Sequence, residues 1–301
     1  MGRRGTVVRM QLTRRAFLTG AGSAGFLAAC GGGDDDGGGT ADPNGLVLLT
    51  VFDPQHLVTA GVPTRATVAL ARTDGVPLRD APDEVAFQVL TDDGRPVGDP
   101  FTARSRAEGL PTPYFPVVLD VEDPGVYGLE ATVDGAELEP SAFMANATAQ
   151  VTAPGPGDPM IPVDTPTVGD ARGADPICTR DPVCPFHDVT LREALGERRP
   201  TAFLVATPEF CQTEVCGPVL DVLVGEAEAY PAVRFVHAEV YADARAVDNV
   251  AQATLTEAMS AYQLTFEPSL FLAGADGVVV ARLDNVYDAS ELREQLDELI
   301  A

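Results

Sequence analysis

The sequence predicts a chain in two parts, an all-β sandwich followed by an α/β domain. Three observations carry this: short apolar runs cut by Gly, Pro and Asp up to about residue 152, a proline-rich stretch over 153–176, and alternating strand and helix patterns from 200 onward. The length of 301 residues suits two ordinary domains, and 45% hydrophobic residues are enough to build cores. Acids outnumber bases 45 to 20 and every base is Arg, for a formal charge of −25. Phosphate recognition needs clustered positive charge, so nucleic acid is excluded as a general partner.

The first 29 residues hold five Arg (Arg3, Arg4, Arg9, Arg14, Arg15) and no acid, ahead of a Gly- and Ala-rich apolar stretch, Ala16 to Ala29. This is the pattern of a signal peptide. Thr13-Arg14-Arg15-Ala16-Phe17-Leu18 resembles the twin-arginine export signal, and Leu27-Ala28-Ala29-Cys30 resembles the lipobox of bacterial lipoproteins. The resemblance implies that Cys30 becomes a lipidated N-terminus and that the chain is held on the outer face of the cytoplasmic membrane. Residues 30–44, with Gly31 to Gly33, Asp34 to Asp36 and Gly37 to Gly39, read as a flexible tether.

From 45 to 152, strands are expected at Leu46 to Phe52, Ala66 to Ala71, Val85 to Leu90, Phe115 to Leu119, Val126 to Val133 and Phe143 to Val151. Val85, Phe87 and Val89 alternate with Glu84, Ala86 and Gln88, as one buried and one wetter face require. Asp74-Gly75, Asp93-Gly94, Pro124-Gly125 and Asp134-Gly135 supply turns. A six- or seven-stranded sandwich follows, and Pro124-Gly125-Val126-Tyr127 resembles the entry to a late strand of immunoglobulin-like domains. His56, the only His here, reads as a surface residue. Pro154, Pro156, Pro159, Pro162, Pro166 and Pro176 mark 153–176 as a semi-stiff spacer between domains.

Within the last part, 177–301, the expected order is a strand at Thr201 to Thr207, a helix at Val215 to Tyr230, a strand at Val233 to Val240 and a helix at Val247 to Leu264. A hairpin of Ser269 to Ala273 and Val278 to Leu283 and a helix at Ala289 to Ile300 complete it. Asp288 and Glu291 form the capping box of the final helix.

That order resembles the thioredoxin-like fold. Thr207-Pro208-Glu209-Phe210-Cys211 stands where thioredoxins present the nucleophilic cysteine, and Phe266-Glu267-Pro268-Ser269 where they hold a cis-proline. The resemblance implies a cis Pro268 with the Glu267 backbone open to a bound peptide. The pair Cys211 and Cys216 is spaced Cys-x4-Cys rather than Cys-x2-Cys, and Cys216-Gly217-Pro218-Val219 offers a second alignment, so either cysteine can be the attacking thiol. Cys-x-Thr-Glu-x-Cys-Gly is also similar to the motif of bacterioferritin-comigratory peroxiredoxins, with Thr207 one residue out of place and Arg282 as the positional candidate for polarising peroxide. The Sco copper chaperones use Cys-x3-Cys on the same fold with a distant His, here His187 or His237. His237, inside the apolar run Phe235 to Ala238, reads as a core or edge histidine.

The expected function is therefore thiol–disulfide exchange with exported proteins by a monomer, Cys211 attacking and Cys216 resolving, with no cofactor and no metal. Peroxide reduction, a non-catalytic scaffold and copper delivery are the alternatives. Cys178 and Cys184 lie in a short loop with Pro182 and are expected to form a structural disulfide, unless with His187 they form a ligand set.

Overall fold

The computed structural model describes residues 45–210, 215–246 and 250–301. The signal peptide, Cys30, the whole tether and Cys211 lie outside the described residues. The described residues cluster as one compact unit. Among the described residues no helix is long and apolar enough to cross a membrane.

Nine strands come first: β1 (Leu46–Thr50), β2 (Val58–Thr59), β3 (Thr64–Arg72), β4 (Glu84–Thr91), β5 (Pro96–Arg104), β6 (Phe115–Leu119), β7 (Gly125–Val133), β8 (Ala136–Glu137) and β9 (Ser141–Asn146). They form a three-stranded sheet, β1-β3-β6, and a six-stranded one, β2-β9-β7-β4-β5 with β8 on β7. Inward residues of both sheets, among them Leu48, Val68, Leu70, Val85, Phe87, Phe115, Leu129 and Phe143, make one core. The alternation of β4 places Val85, Phe87 and Val89 inside, as the period of two dictates.

After 190 come α1 (Leu191–Gly196), β10 (Thr201–Val205), α2 (Cys216–Ala227), β11 (Arg234–Ala238), α3 (Glu257–Tyr262), β12 (Ser269–Ala273), β13 (Val279–Asp284) and α4 (Ala289–Ile300). Their sheet runs β11-β10-β12-β13, with β10 and β11 parallel and the other pairs antiparallel. Thr190 and Glu193 close a capping box on α1, and Asp288 caps α4 by accepting from the Glu291 amide at 2.8 Å. Gly277 turns the β12–β13 hairpin at φ +81°, a conformation that disfavours a side chain.

The fold class expected from the sequence, an immunoglobulin-like sandwich joined to a separate α/β thioredoxin-like domain, is corrected here. The described chain is mostly β, 33% strand against 19% helix, in three sheets with only four α-helices. Helix was over-read. Among the described residues of Val247 to Leu264 the α-helical part is Glu257–Tyr262, where Thr256 caps the helix and Leu255 before it bridges to Tyr241 in extended form. β5 was not anticipated because its Pro, Gly and Asp residues disguise an exposed edge strand.

Segment 153–176 does not hang as a spacer. Met160, Val163, Thr165 and Ala174 are buried, Met160 donates its amide to Gly277 O at 2.9 Å, and the Tyr262 hydroxyl donates to Ile161 O at 3.0 Å. Across the chain, Arg65 of β3 binds both carboxylate oxygens of Glu291 on α4 at 2.7 Å and donates to Asp284 O and Val286 O. The buried Tyr114 hydroxyl donates to Glu291 as well.

Candidate metal centre

The strand β11 is the edge of its sheet, and the segment leading to α1 lies along it. The His237 amide donates to Phe186 O at 3.2 Å, and the Phe186 and Phe235 rings stack at 5.4 Å. Further anchors hold the segment. Thr179 donates its amide at 2.6 Å, and its hydroxyl at 3.1 Å, to the buried Glu239; the Glu209 amide donates to Thr179 Oγ1 at 3.0 Å; and Arg245 donates to Thr179 O at 2.8 Å. Arg180 pairs with Asp221 at 2.7 Å and donates to Pro182 O at 2.6 Å. These contacts fix a short loop whose composition alone would leave it loose.

The anchored loop turns Cys178, Cys184 and His187 inward against His237. The four donor atoms all lie within 4.8 Å of one another, and all four residues are buried. His187 Nε2 is 3.2 Å from His237 Nδ1, and Cys184 Sγ is 3.5 Å from the same nitrogen. A tetrahedral zinc ion with Zn–N about 2.0–2.1 Å and Zn–S about 2.3 Å sets donors about 3.3 Å apart for two nitrogens, about 3.6 Å for sulfur and nitrogen, and about 3.8 Å for two sulfurs. The two observed separations match those edges.

The remaining ring nitrogens face backbone carbonyls, His237 Nε2 at 3.0 Å from Ala206 O and His187 Nδ1 at 3.4 Å from Pro166 O. A carbonyl only accepts, so these nitrogens carry the protons of the neutral rings. The lone pairs of His237 Nδ1 and His187 Nε2 are thereby aimed into the cluster. This is how second-sphere carbonyls set the tautomer of a metal-bound histidine. Without a cation, such facing acceptors can be satisfied only by the thiol protons.

Hydrogen bonding from Cys184, then from His187 and His237, pulls the Cys178 thiol far below its ordinary range against burial, while Cys178 and burial push Cys184 up. Burial opposes a charge on His237, but its hydrogen bond to the Cys178 sulfur and the charges of Glu239 and Cys178 outweigh it and raise its pKa. Burial lifts Glu239 to about 7, with His237 pulling the other way. Two sulfurs and two imidazoles, soft and borderline donors, thus share one buried, electrostatically coupled pocket.

The other expected site residues fall elsewhere. Cys216, buried, opens α2, while its expected partner Cys211 lies outside the described residues. The Glu267–Pro268 peptide is cis, and the Glu267 carboxylate accepts from the Thr207 amide at 2.5 Å. Arg282 is spent on Asp284 at 2.9 Å and on the Phe266 and Phe271 rings. His56 is exposed and paired with Asp53. Cys178 and Cys184, expected as a structural disulfide, lie buried side by side, with no sulfur–sulfur bond drawn between them. His237, read as a core histidine, is buried in its strand and is also the fourth member of the cluster. The signal available in the sequence was Cys178-x5-Cys184-x2-His187; nothing local ties it to a histidine fifty residues on. Compared with known proteins, the chain matches no family model and no curated protein sequence.

Proposed function

We propose that this chain is an exported, lipid-anchored metal-binding protein that holds one zinc-class ion on Cys178, Cys184, His187 and His237. The observation that carries the reading is the convergence of two sulfurs and two tautomer-fixed imidazole nitrogens in one buried cluster. Two thiolates with two imidazoles in a tetrahedral arrangement suit zinc among the common biological metals. Four protein ligands leave no open position, so the ion's role is to organise the loop, β11 and the surrounding core. The twin-arginine and lipobox resemblances supply the location, with Cys30 as the anchor.

Metal content tests it. The full chain, purified with zinc and dialysed, is expected to retain one zinc per chain, and Cys184→Ser and His237→Ala to lose most of it. Retention below a tenth of an equivalent by the unaltered chain, or undiminished retention by both variants, would overturn the assignment.

A second reading concerns Cys211 and Cys216, the pair expected to exchange disulfides with exported proteins. Cys216 opens α2, the Glu267–Pro268 peptide is cis, and burial, then the charges of Glu267 and Cys216, raise the Tyr241 hydroxyl. A Cys216→Ser variant that accumulates mixed disulfides at Cys211 in the exported fraction supports this reading; a variant that accumulates none removes it.

A further inference from the structure

Cys178 and Cys184 are the two sulfur ligands of the proposed centre, and they are also close enough to each other to react. Their sulfurs lie within 4.8 Å, and a disulfide needs about 2.05 Å. Both sit on one loop with five residues between them, outside any helix or strand, so closing the gap asks for local movement only. The opposite wall of the cluster, His237, is fixed in β11 and does not have to move.

We propose that the centre is a redox-gated metal site, in which an organic disulfide converts Cys178 and Cys184 to a cystine and expels the ion. This rests on the metal reading above. The Cys178 thiolate attacks one sulfur of R–S–S–R, forming a mixed disulfide and releasing R–S⁻. The Cys184 thiolate then attacks the Cys178 sulfur, forming the intramolecular bond and releasing the second R–S⁻. The cysteine pair loses two electrons and the organic disulfide gains them. Both sulfur ligands are consumed, and the two imidazoles that remain are too few to hold the cation against solvent. Bound zinc in turn occupies the electron pairs that the first step needs, so the metal and the sulfur–sulfur bond exclude each other. An exported chain meets the oxidising surroundings in which such a choice is set.

The sequence makes the test direct. Trypsin cuts after Arg180, placing Cys178 and Cys184 in separate peptides, whereas Cys211 and Cys216 share the peptide ending at Arg234. Zinc-loaded and chelator-stripped full chain are each incubated with glutathione disulfide. Released zinc is read with a chromogenic chelator and linked peptides by mass spectrometry. The expected result is a Cys178–Cys184 link that forms at least tenfold faster in the stripped protein, and in the loaded protein appears together with one equivalent of released zinc. Zinc bound at one equivalent, with no such link formed in either sample, overturns the gate and leaves the metal reading standing. A link that forms while zinc stays bound also overturns the gate. Failure of the full chain to bind zinc at all overturns the metal reading, and the gate with it, whether or not the link forms.

Discussion

His187 Nε2 and His237 Nδ1 stand 3.2 Å apart, and each ring turns its other nitrogen toward a backbone carbonyl, Pro166 O for the first and Ala206 O for the second. Two imidazole lone pairs directed at one point repel unless something positive lies between them. In the metal-free protein the protons shared within the cluster serve, and in the loaded protein a divalent cation replaces them.

Metal affinity should therefore depend on pH. Binding displaces between one and two protons, since Cys178 is already drawn toward the thiolate and Cys184 is not. Zinc affinity is expected to fall about 10- to 100-fold for each pH unit of acidification below neutrality. Calorimetric titrations in buffers of different ionisation enthalpy count the protons released; a count of zero removes the thiols from the ligand set.

Shortening His187 to Ala removes one ligand and leaves three. Zinc affinity is expected to drop at least about 100-fold, with far-ultraviolet circular dichroism unchanged because His187 lies outside every helix and strand. Competition against a chromogenic chelator measures it. Equal affinity in the variant would place the ion elsewhere.

Arg65 and Glu291 link β3 to α4 through two hydrogen bonds of 2.7 Å in a buried setting. Arg65→Ala leaves the buried Glu291 carboxylate with Tyr114 but without its bidentate partner, which costs about 3 kcal/mol. Urea denaturation should show that loss, and Glu291→Gln combined with Arg65→Ala should recover part of it. Additive losses in the double variant would show that the two side chains do not act as a pair.

Asp288 accepts from the Glu291 amide at the start of α4 and from the Glu108 amide at 2.9 Å with its other oxygen. Asp288→Ala leaves both donors unsatisfied, and a loss of about 1–3 kcal/mol is expected, more than for an exposed cap. The midpoint of thermal or urea unfolding reports it.

On β7, burial together with the nearby charges of Glu137 and Glu139 raises the Glu130 carboxyl above its ordinary range. A carboxyl raised on folding binds more protons in the native state than in the unfolded chain, so its contribution to stability falls as pH rises through and above the usual glutamate range. Glu130→Gln is expected to flatten the stability profile on the alkaline side of that range. An unchanged profile would show that Glu130 does not feel its neighbours.

Much of the local structure was legible because alternation leaves a clear trace: Val85, Phe87 and Val89 of β4 and the apolar run of β10 could hardly be anything but strands. The fold class was not. Prolines made 153–176 look like a joint, yet a proline forbids only a donor and a torsion, and Met160 and Val163 between the prolines are buried like any core residue. The run before Thr256 was read as helix, although extended pairing of Leu255 with Tyr241 prevails there. Three of the centre's four residues, Cys178, Cys184 and His187, could be read together from the sequence. Its fourth ligand comes from a strand, where an inward histidine and an inward valine occupy the same phase of the pattern, and only tertiary packing tells them apart.

The most direct test of a Cys2His2 centre is the visible spectrum of the cobalt(II)-substituted full chain. Strong visible d–d bands with a sulfur-to-cobalt charge-transfer band in the near ultraviolet, at one cobalt per chain and displaced by zinc, are the predicted result for a tetrahedral thiolate site. A weak octahedral spectrum without the charge-transfer band, or the same spectrum after Cys178→Ser and Cys184→Ser are introduced together, would contradict it.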